Sequence, residues 1–154
     1  ENEVFCQTET SQDSSDLEKC FHYILAQGFT SVALSGVYGG EGDHVFGNLS
    51  IILKWADRLR FVGYHRLEES AYEQVFWTLT SGIQQEISCL PGEIISVLSM
   101  EEAKVRSKGL RWPLSEKRPL HPMGLQSLRN ETLTKSITLD VLEGRVLVMR
   151  RFLP

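Results

Sequence analysis

Residues 15–44, SDLEKCFHYILAQGFTSVALSGVYGGEGDH, decide the fold class of this chain. Ser15-Asp16-Leu17-Glu18 has the spacing of a capping box, in which a serine hydroxyl and a glutamate carboxylate take up amides left free in the first helical turn. Leu17, Cys20, Phe21, Ile24 and Leu25 follow at i, i+3, i+4, i+7 and i+8, which predicts one buried helical face. Gly28 suits the left-handed step just past a helix end. Residues 31–34 are a short apolar run compatible with a strand, and the glycine-rich turn 36–42 comes next. A second helix is predicted over about 43–57, with Val45, Phe46, Leu49, Ile52, Leu53 and Ala56 on its apolar side. Strands expected at 3–8 and 60–65 complete a β-α-β-α-β order, the pattern of a parallel sheet with covering helices. Three strands are few for such a sheet, so this α/β unit reads as incomplete.

The pattern changes near residue 69. Val75-Phe76-Trp77-Thr78-Leu79, Ile94-Ile95-Ser96-Val97-Leu98 and the stretches 134–139 and 145–152 are rich in β-formers. Gly82, Pro91-Gly92, Pro119, Pro122 and Glu143-Gly144 lie between or beside them. Short strands separated by turn signals, with no helical periodicity, predict a small antiparallel β-sandwich. The expected fold class is therefore α/β plus all-β: residues 1–68 as the C-terminal part of a parallel-sheet α/β domain and 69–154 as the sandwich, with the boundary near 67–71.

Composition narrows the function classes. With 42% hydrophobic and 23% charged residues in 154, the chain has the balance of a soluble globular protein. No apolar run approaches bilayer length and no secretory leader opens it, so an intracellular, cytoplasmic protein is expected, an organelle included. Glu1 in place of methionine implies processing or a longer parent. Cys6, Cys20 and Cys89 are odd in number and scattered, as are His22, His44, His65 and His121, which argues against a disulfide framework or a zinc cluster. Up to Met100 there are five Lys or Arg against fourteen Asp or Glu; from Glu101 on there are eleven against six. That asymmetry fits an anionic ligand, or two halves that dock on each other. The basic residues are dispersed, which argues against a nucleic-acid partner.

Three segments carry residue types suited to chemistry. Gln12-Asp13-Ser14-Ser15-Asp16 places two carboxylates at a strand-to-helix junction, where open α/β sheets bind ligands and where oxygen donors suit Mg²⁺ beside phosphate. The same spacing also serves carboxylates that simply favour a helix N-terminus. In the turn 36–44, Gly39 and Gly40 let backbone amides approach an anion; the alternative is a plain turn closed by an Asp43 N-cap. Trp112, between Arg111 and Pro113, offers an indole that can stack on a flat heterocycle, or pack at the sandwich edge. Trp55 and Trp77 sit on apolar periodic faces and belong to the core. The Asn48-Leu-Ser and Asn130-Glu-Thr sequons are chance matches in a chain without a leader.

Taken together and in order, SQDSSDLEK (11–19), GGEGDH (39–44), GLRWPL (109–114) and SLRN (127–130) resemble the back two-thirds of a thiamine pyrophosphokinase. That family carries a D-Q-D-x-T-D-x-x-K-like motif, a glycine loop ending G-R-x-D, then G-L-K-W-x-L and S-x-x-N, on an α/β catalytic domain followed by a β-sandwich. The resemblance spans nearly all of the chain. It implies transfer of pyrophosphate from ATP to thiamine, giving thiamine diphosphate and AMP, with Mg²⁺ as cofactor. Asp16 would be a magnesium ligand with Asp13 near the phosphates, and Gln12 and Asp43 would help hold the substrates. Gly39 and Gly40 would lie against ATP, while Trp112 would stack on thiamine with Ser127 and Asn130 lining that pocket. The family's pocket forms between subunits, so a homodimer is implied.

Three departures set this chain apart. The family's earlier D-G-G/A-N and G-D-x-D-S segments have no counterpart, Glu41 stands where the loop has arginine, and Ser11 where aspartate is frequent. They imply that this chain alone is inactive, and they open the alternative of a catalytically degenerate homologue acting as a binding or scaffold subunit of a larger assembly. A third reading, contact with RNA through the basic half, would show as salt-sensitive RNA binding.

Overall fold

The computed structural model describes residues 13–38, 41–66 and 73–152. The expected strand at 3–8, Gln12, Gly39, Gly40, Cys6 and the boundary at 67–71 lie outside them. Helix α1 (Asp16–Ala26) leads to strand β1 (Ser31–Ser35), then helix α2 (Gly42–Trp55) and strand β2 (Arg60–Arg66). Seven strands follow: β3 (Glu73–Thr80), β4 (Gln84–Ser88), β5 (Ile94–Leu98), β6 (Lys104–Lys108), β7 (Ser127–Glu131), β8 (Ser136–Glu143) and β9 (Arg145–Arg151). None of the described helices is long and apolar enough to cross a membrane.

The described residues are mostly β, with two helices and two sheets. A six-stranded sheet runs in the order β1-β2-β3-β9-β5-β7, and a three-stranded sheet in the order β4-β8-β6. Among the described strands, β1 and β2 alone pair in parallel, from Ser31↔Arg60 to Ser35↔Tyr64. This is the parallel pairing expected for the two described strands of the first part; β2 then pairs antiparallel with β3, so the sheet runs on without a break into the strands of the second part. The turn from parallel to antiparallel pairing happens at β3, whose register to β9 holds from Gln74↔Arg151 to Thr80↔Arg145.

Strand alternation assigns the two faces of the large sheet to two cores. Leu79, Ile95, Val97, Val146 and Val148 face the small sheet and meet Ile87, Val105, Ile137, Leu139 and Val141 there. Phe61, Phe76 and Leu147 face the other way and meet Phe21 of α1 and Ile52, Leu53 and Trp55 of α2. Three layers result: helices, six strands, three strands. Gly63 of β2 lies under the ring of its cross-strand partner Phe76; an added Cβ would stand 1.9 Å from the ring's Cζ.

The helices match their expected spans but not every detail. Ser15 caps α1, its hydroxyl accepting from the Glu18 amide at 3.2 Å. The return half of the capping box is absent, because the Glu18 carboxylate accepts instead from Lys54 Nζ at 2.6 Å and Trp55 Nε1 at 2.9 Å. Cys20 and Phe46, expected on buried faces, are exposed; the buried residues of α2, Ile52, Leu53 and Trp55, all lie in its C-terminal half, beyond Phe46. Glu41, not Asp43, occupies the N-cap of α2, without a side-chain cap bond. Gly28 takes φ +84° after α1 as expected.

Candidate functional site

The GLRWPL segment owes its path to Gly109. At φ +80°, with a Cβ that would meet Thr134 Oγ1 at 2.5 Å and the Ser136 carbonyl at 2.8 Å, this position admits glycine alone. The turn sends Leu110 into the inter-sheet core. Arg111 is pinned to Glu131 twice, its amide to the carbonyl at 2.8 Å and its guanidinium to the carboxylate at 2.9 Å. Trp112 then emerges at the surface, 59% exposed.

Opposite it, β7 carries a bulge. Ile95 faces Asn130 and Val97 faces Ser127, so Ser96 alone opposes Leu128 and Arg129. Arg129 sits at φ 53°, in the left-handed region, and its amide donates to Ser96 Oγ at 3.0 Å. Residues three apart in a regular strand point to opposite faces. The bulge brings Ser127 and Asn130 to the same, buried face.

Asn130, 2% exposed, spends its whole amide inside the protein. Its Oδ1 accepts from the amides of Trp112 at 3.1 Å and Glu131 at 3.0 Å. Its Nδ2 donates to the Trp112 carbonyl at 2.7 Å and to Ser127 Oγ at 3.2 Å. Both polar backbone groups of Trp112 are thereby latched, and the indole is held by its main chain. Ser127 Oγ accepts from Asn130, which leaves its own proton available. Between these groups lies a cavity of about 310 Å³ lined by Trp112, Leu114, Arg118, Gln126, Ser127 and Asn130 among others. Gln126 is itself fixed, bridging both the amide and the carbonyl of Ser99 at 2.9 and 2.8 Å. The arrangement presents a flat apolar face beside a hydroxyl donor, a geometry fit for a heteroaromatic ring.

The aspartates lie elsewhere. The Asp16 carboxylate is 98% exposed and pairs with Lys19 at 3.1 Å; Asp13 is exposed beside it. Asp43 stands in the first turn of α2 and pairs with His44 at 3.3 Å. Glu41, Asp43 and His44, all exposed, each place a ligand-capable atom within 4.8 Å of the others. Asp16 and Asp43 do not touch. Glu18, near the start of α1, is tied to the last turn of α2, whereas Asp43 lies twelve residues earlier, about 18 Å along the helix at 1.5 Å per residue. None of the described residues of α1, α2 or the turn between them lines the Trp112 cavity. β1 and β7 are the outer strands of the large sheet, five spacings or about 24 Å apart.

Two groups escaped sequence reasoning. The first is the Ser96–Arg129 bulge, signalled only by two inward polar residues three apart in a strand. The second is Arg118, which nothing in a turn-rich stretch singles out. The sequon at Asn130 is buried and engaged, and Asn48 Nδ2 donates to the Val37 carbonyl at 3.3 Å.

Residues 1–62 match the family model described as thiamin pyrophosphokinase, catalytic domain. No curated protein matches the chain. Among solved structures, it is similar to a thiamine pyrophosphokinase from Bacillus subtilis, at 17% identity and a TM-score of 0.70, covering 93% of this chain and 65% of that one. A thiamin pyrophosphokinase from Geobacillus thermodenitrificans is 23% identical at a TM-score of 0.69, with 92% and 63% covered. The yeast enzyme is 13% identical at 0.59, with 79% and 39% covered. At these identities the likeness is one of fold, and the chain spans less than two thirds of the length of the first two.

Proposed function

We propose, from the premise that this chain belongs through residues 1–62 to the thiamine pyrophosphokinase family, that it is a thiamine pyrophosphokinase-like protein whose Trp112 cavity receives the thiamine ring. In this reading residues 1–68 are part of the catalytic domain and 69–154 the thiamine-binding β-domain. The reaction is transfer of pyrophosphate from ATP to the hydroxyethyl group of thiamine, yielding thiamine diphosphate and AMP. The observation that carries it is the Asn130 latch, which fixes the backbone of Trp112 and so sets an exposed indole at a cavity that Ser127 also lines.

Trp112 stacks on the ring, Ser127 donates to a ring acceptor, and Asn130 positions both. Asp13 and Asp16 offer exposed oxygen donors, a set that suits Mg²⁺, which keeps waters and shares phosphate oxygens. Asp16 would hold the ion, with Asp13 near the phosphates, and the ion would neutralise charge on the transferred group. Gln12, Gly39, Gly40 and Asp43 serve the ATP side. The distance between the two sheet edges supports a site completed by a second copy, hence a homodimer. Incubation of the full-length protein with ATP, Mg²⁺ and thiamine, reading AMP release, tests this directly; thiamine-dependent AMP is expected, and its absence would overturn the transferase reading.

A second reading, a catalytically degenerate homologue serving as a binding or scaffold subunit, is favoured by the charge at the start of α2. Glu41 and Asp43 both present carboxylates where phosphates would approach, and like charge there repels them. Ring binding without AMP release would establish this reading over the first.

A further inference from the structure

We infer that the Trp112 cavity prefers the phosphorylated form of its heteroaromatic ligand over the bare ring, and that Arg118 is the residue that sets this preference. The inference rests on the thiamine reading above. Among the described residues that line the cavity, Arg118 alone is charged, and no carboxylate reaches it. Thiamine carries a permanent positive charge on its thiazolium ring. A lining with one cation and no anion repels that charge, whereas a phosphate on the hydroxyethyl arm turns the repulsion into attraction.

The state of Arg118 supports this role. The neighbouring arginines are committed: Arg111 to Glu131, and Arg106 to Asp140 and Glu116. Arg118 makes no ion pair with a described residue. Only its backbone is fixed, the amide donating to the Ser115 carbonyl at 2.9 Å in the tight Ser115↔Arg118 bridge. The turn thus holds the base of the side chain while the guanidinium stays exposed, and a guanidinium grips two phosphate oxygens at once. In the transferase reading the preference concerns the product; in the degenerate reading it makes the chain a binder of thiamine phosphates.

Calorimetric titration of the 154-residue chain with thiamine, thiamine diphosphate, inorganic diphosphate and ADP separates the possibilities. Thiamine diphosphate is expected to bind about tenfold more tightly than thiamine, the worth of one charge-assisted pair at a partly exposed site. Arg118→Gln is expected to bring that ratio to about one, Arg118→Lys to keep part of it, and added salt to shrink it. Equal affinities in the parent chain, or a ratio unmoved by Arg118→Gln, would overturn the inference and leave the thiamine reading standing. Inorganic diphosphate or ADP binding as tightly as thiamine diphosphate would also overturn it. Absence of binding by both thiamine and thiamine diphosphate would remove the inference and the reading together.

Discussion

Replacing Asn130 by alanine removes four hydrogen bonds at once, two of them from the backbone of Trp112. At about 1 kcal/mol net for each, the simple sum is about 4 kcal/mol. Trp112 is exposed, so water reaches its freed amide and carbonyl, and the expected loss falls to about 2–3 kcal/mol. Urea denaturation followed by far-ultraviolet circular dichroism measures it. Asn130→Asp sharpens the test, because it keeps the shape but replaces the donor at 2.7 Å from the Trp112 carbonyl with an acceptor. Burial and the facing carbonyl raise the folded-state pKa of the new acid above its unfolded value of about 3.9. Below that pH both states are protonated and the acid can donate; the variant is then closest to the parent. As pH rises towards neutrality the unfolded state ionises freely, and the penalty grows. A loss under about 0.5 kcal/mol for Asn130→Ala, or an Asn130→Asp variant equally stable relative to the parent at pH 4 and pH 7, would refute the latch.

Three further outcomes follow from the packing and the charges. Gly63→Ala is expected to cost about 3 kcal/mol by thermal unfolding, because its Cβ would overlap the fully buried Phe76 ring; a cost below about 1 kcal/mol would show that the ring is free to move. Gly109→Ala is expected to lower both stability and ring binding, since strain at φ +80° and the clash with Thr134 displace the segment that carries Trp112; unchanged ring affinity would dissociate the turn from the site. Glu18 is held below the ordinary glutamate value chiefly by its hydrogen bond from Lys54 and then by that from Trp55. Its contribution is therefore present above about pH 4.5 and is lost as pH falls through the lowered folded value. Glu18→Gln should lie furthest below the parent in stability near neutrality and converge with it in acid; a pH-independent gap would sink this assignment.

The elements legible in the sequence are those whose burial is apolar and periodic. Phe21, Ile24 and Leu25 announced α1, Ile52 and Leu53 announced α2, and runs of β-branched, aromatic and other apolar residues announced β3, β5, β8 and β9. Strands β4, β6 and β7 passed unnoticed for one physical reason. Each has five residues and shows its outer face to water, so β4 and β6 carry a single fully inward apolar side chain, Ile87 and Val105. In β7 the inward residues are Ser127 and Asn130, polar because they build the cavity rather than the core. The same holds within the site. Trp112, Ser127 and Asn130 were legible by motif order, yet the partner of Asn130 lies eighteen residues upstream and is a backbone, which no side-chain pattern reports. The spread of the aspartates away from that cavity is likewise a matter of strand order, and β1 and β7 become opposite edges only once β9 inserts between β3 and β5.

If the latched indole is a ring-binding surface, ligand affinity must fall when the indole is removed. Titration of thiamine diphosphate into the parent chain and into Trp112→Ala tests it most directly, with stability of the variant checked alongside. Saturable binding with one ligand per chain is expected, weakened by about tenfold or more on removal of the indole, the scale of one ring stacked on an aromatic face. Equal affinity in the two proteins, or no binding to a folded parent chain, would contradict it.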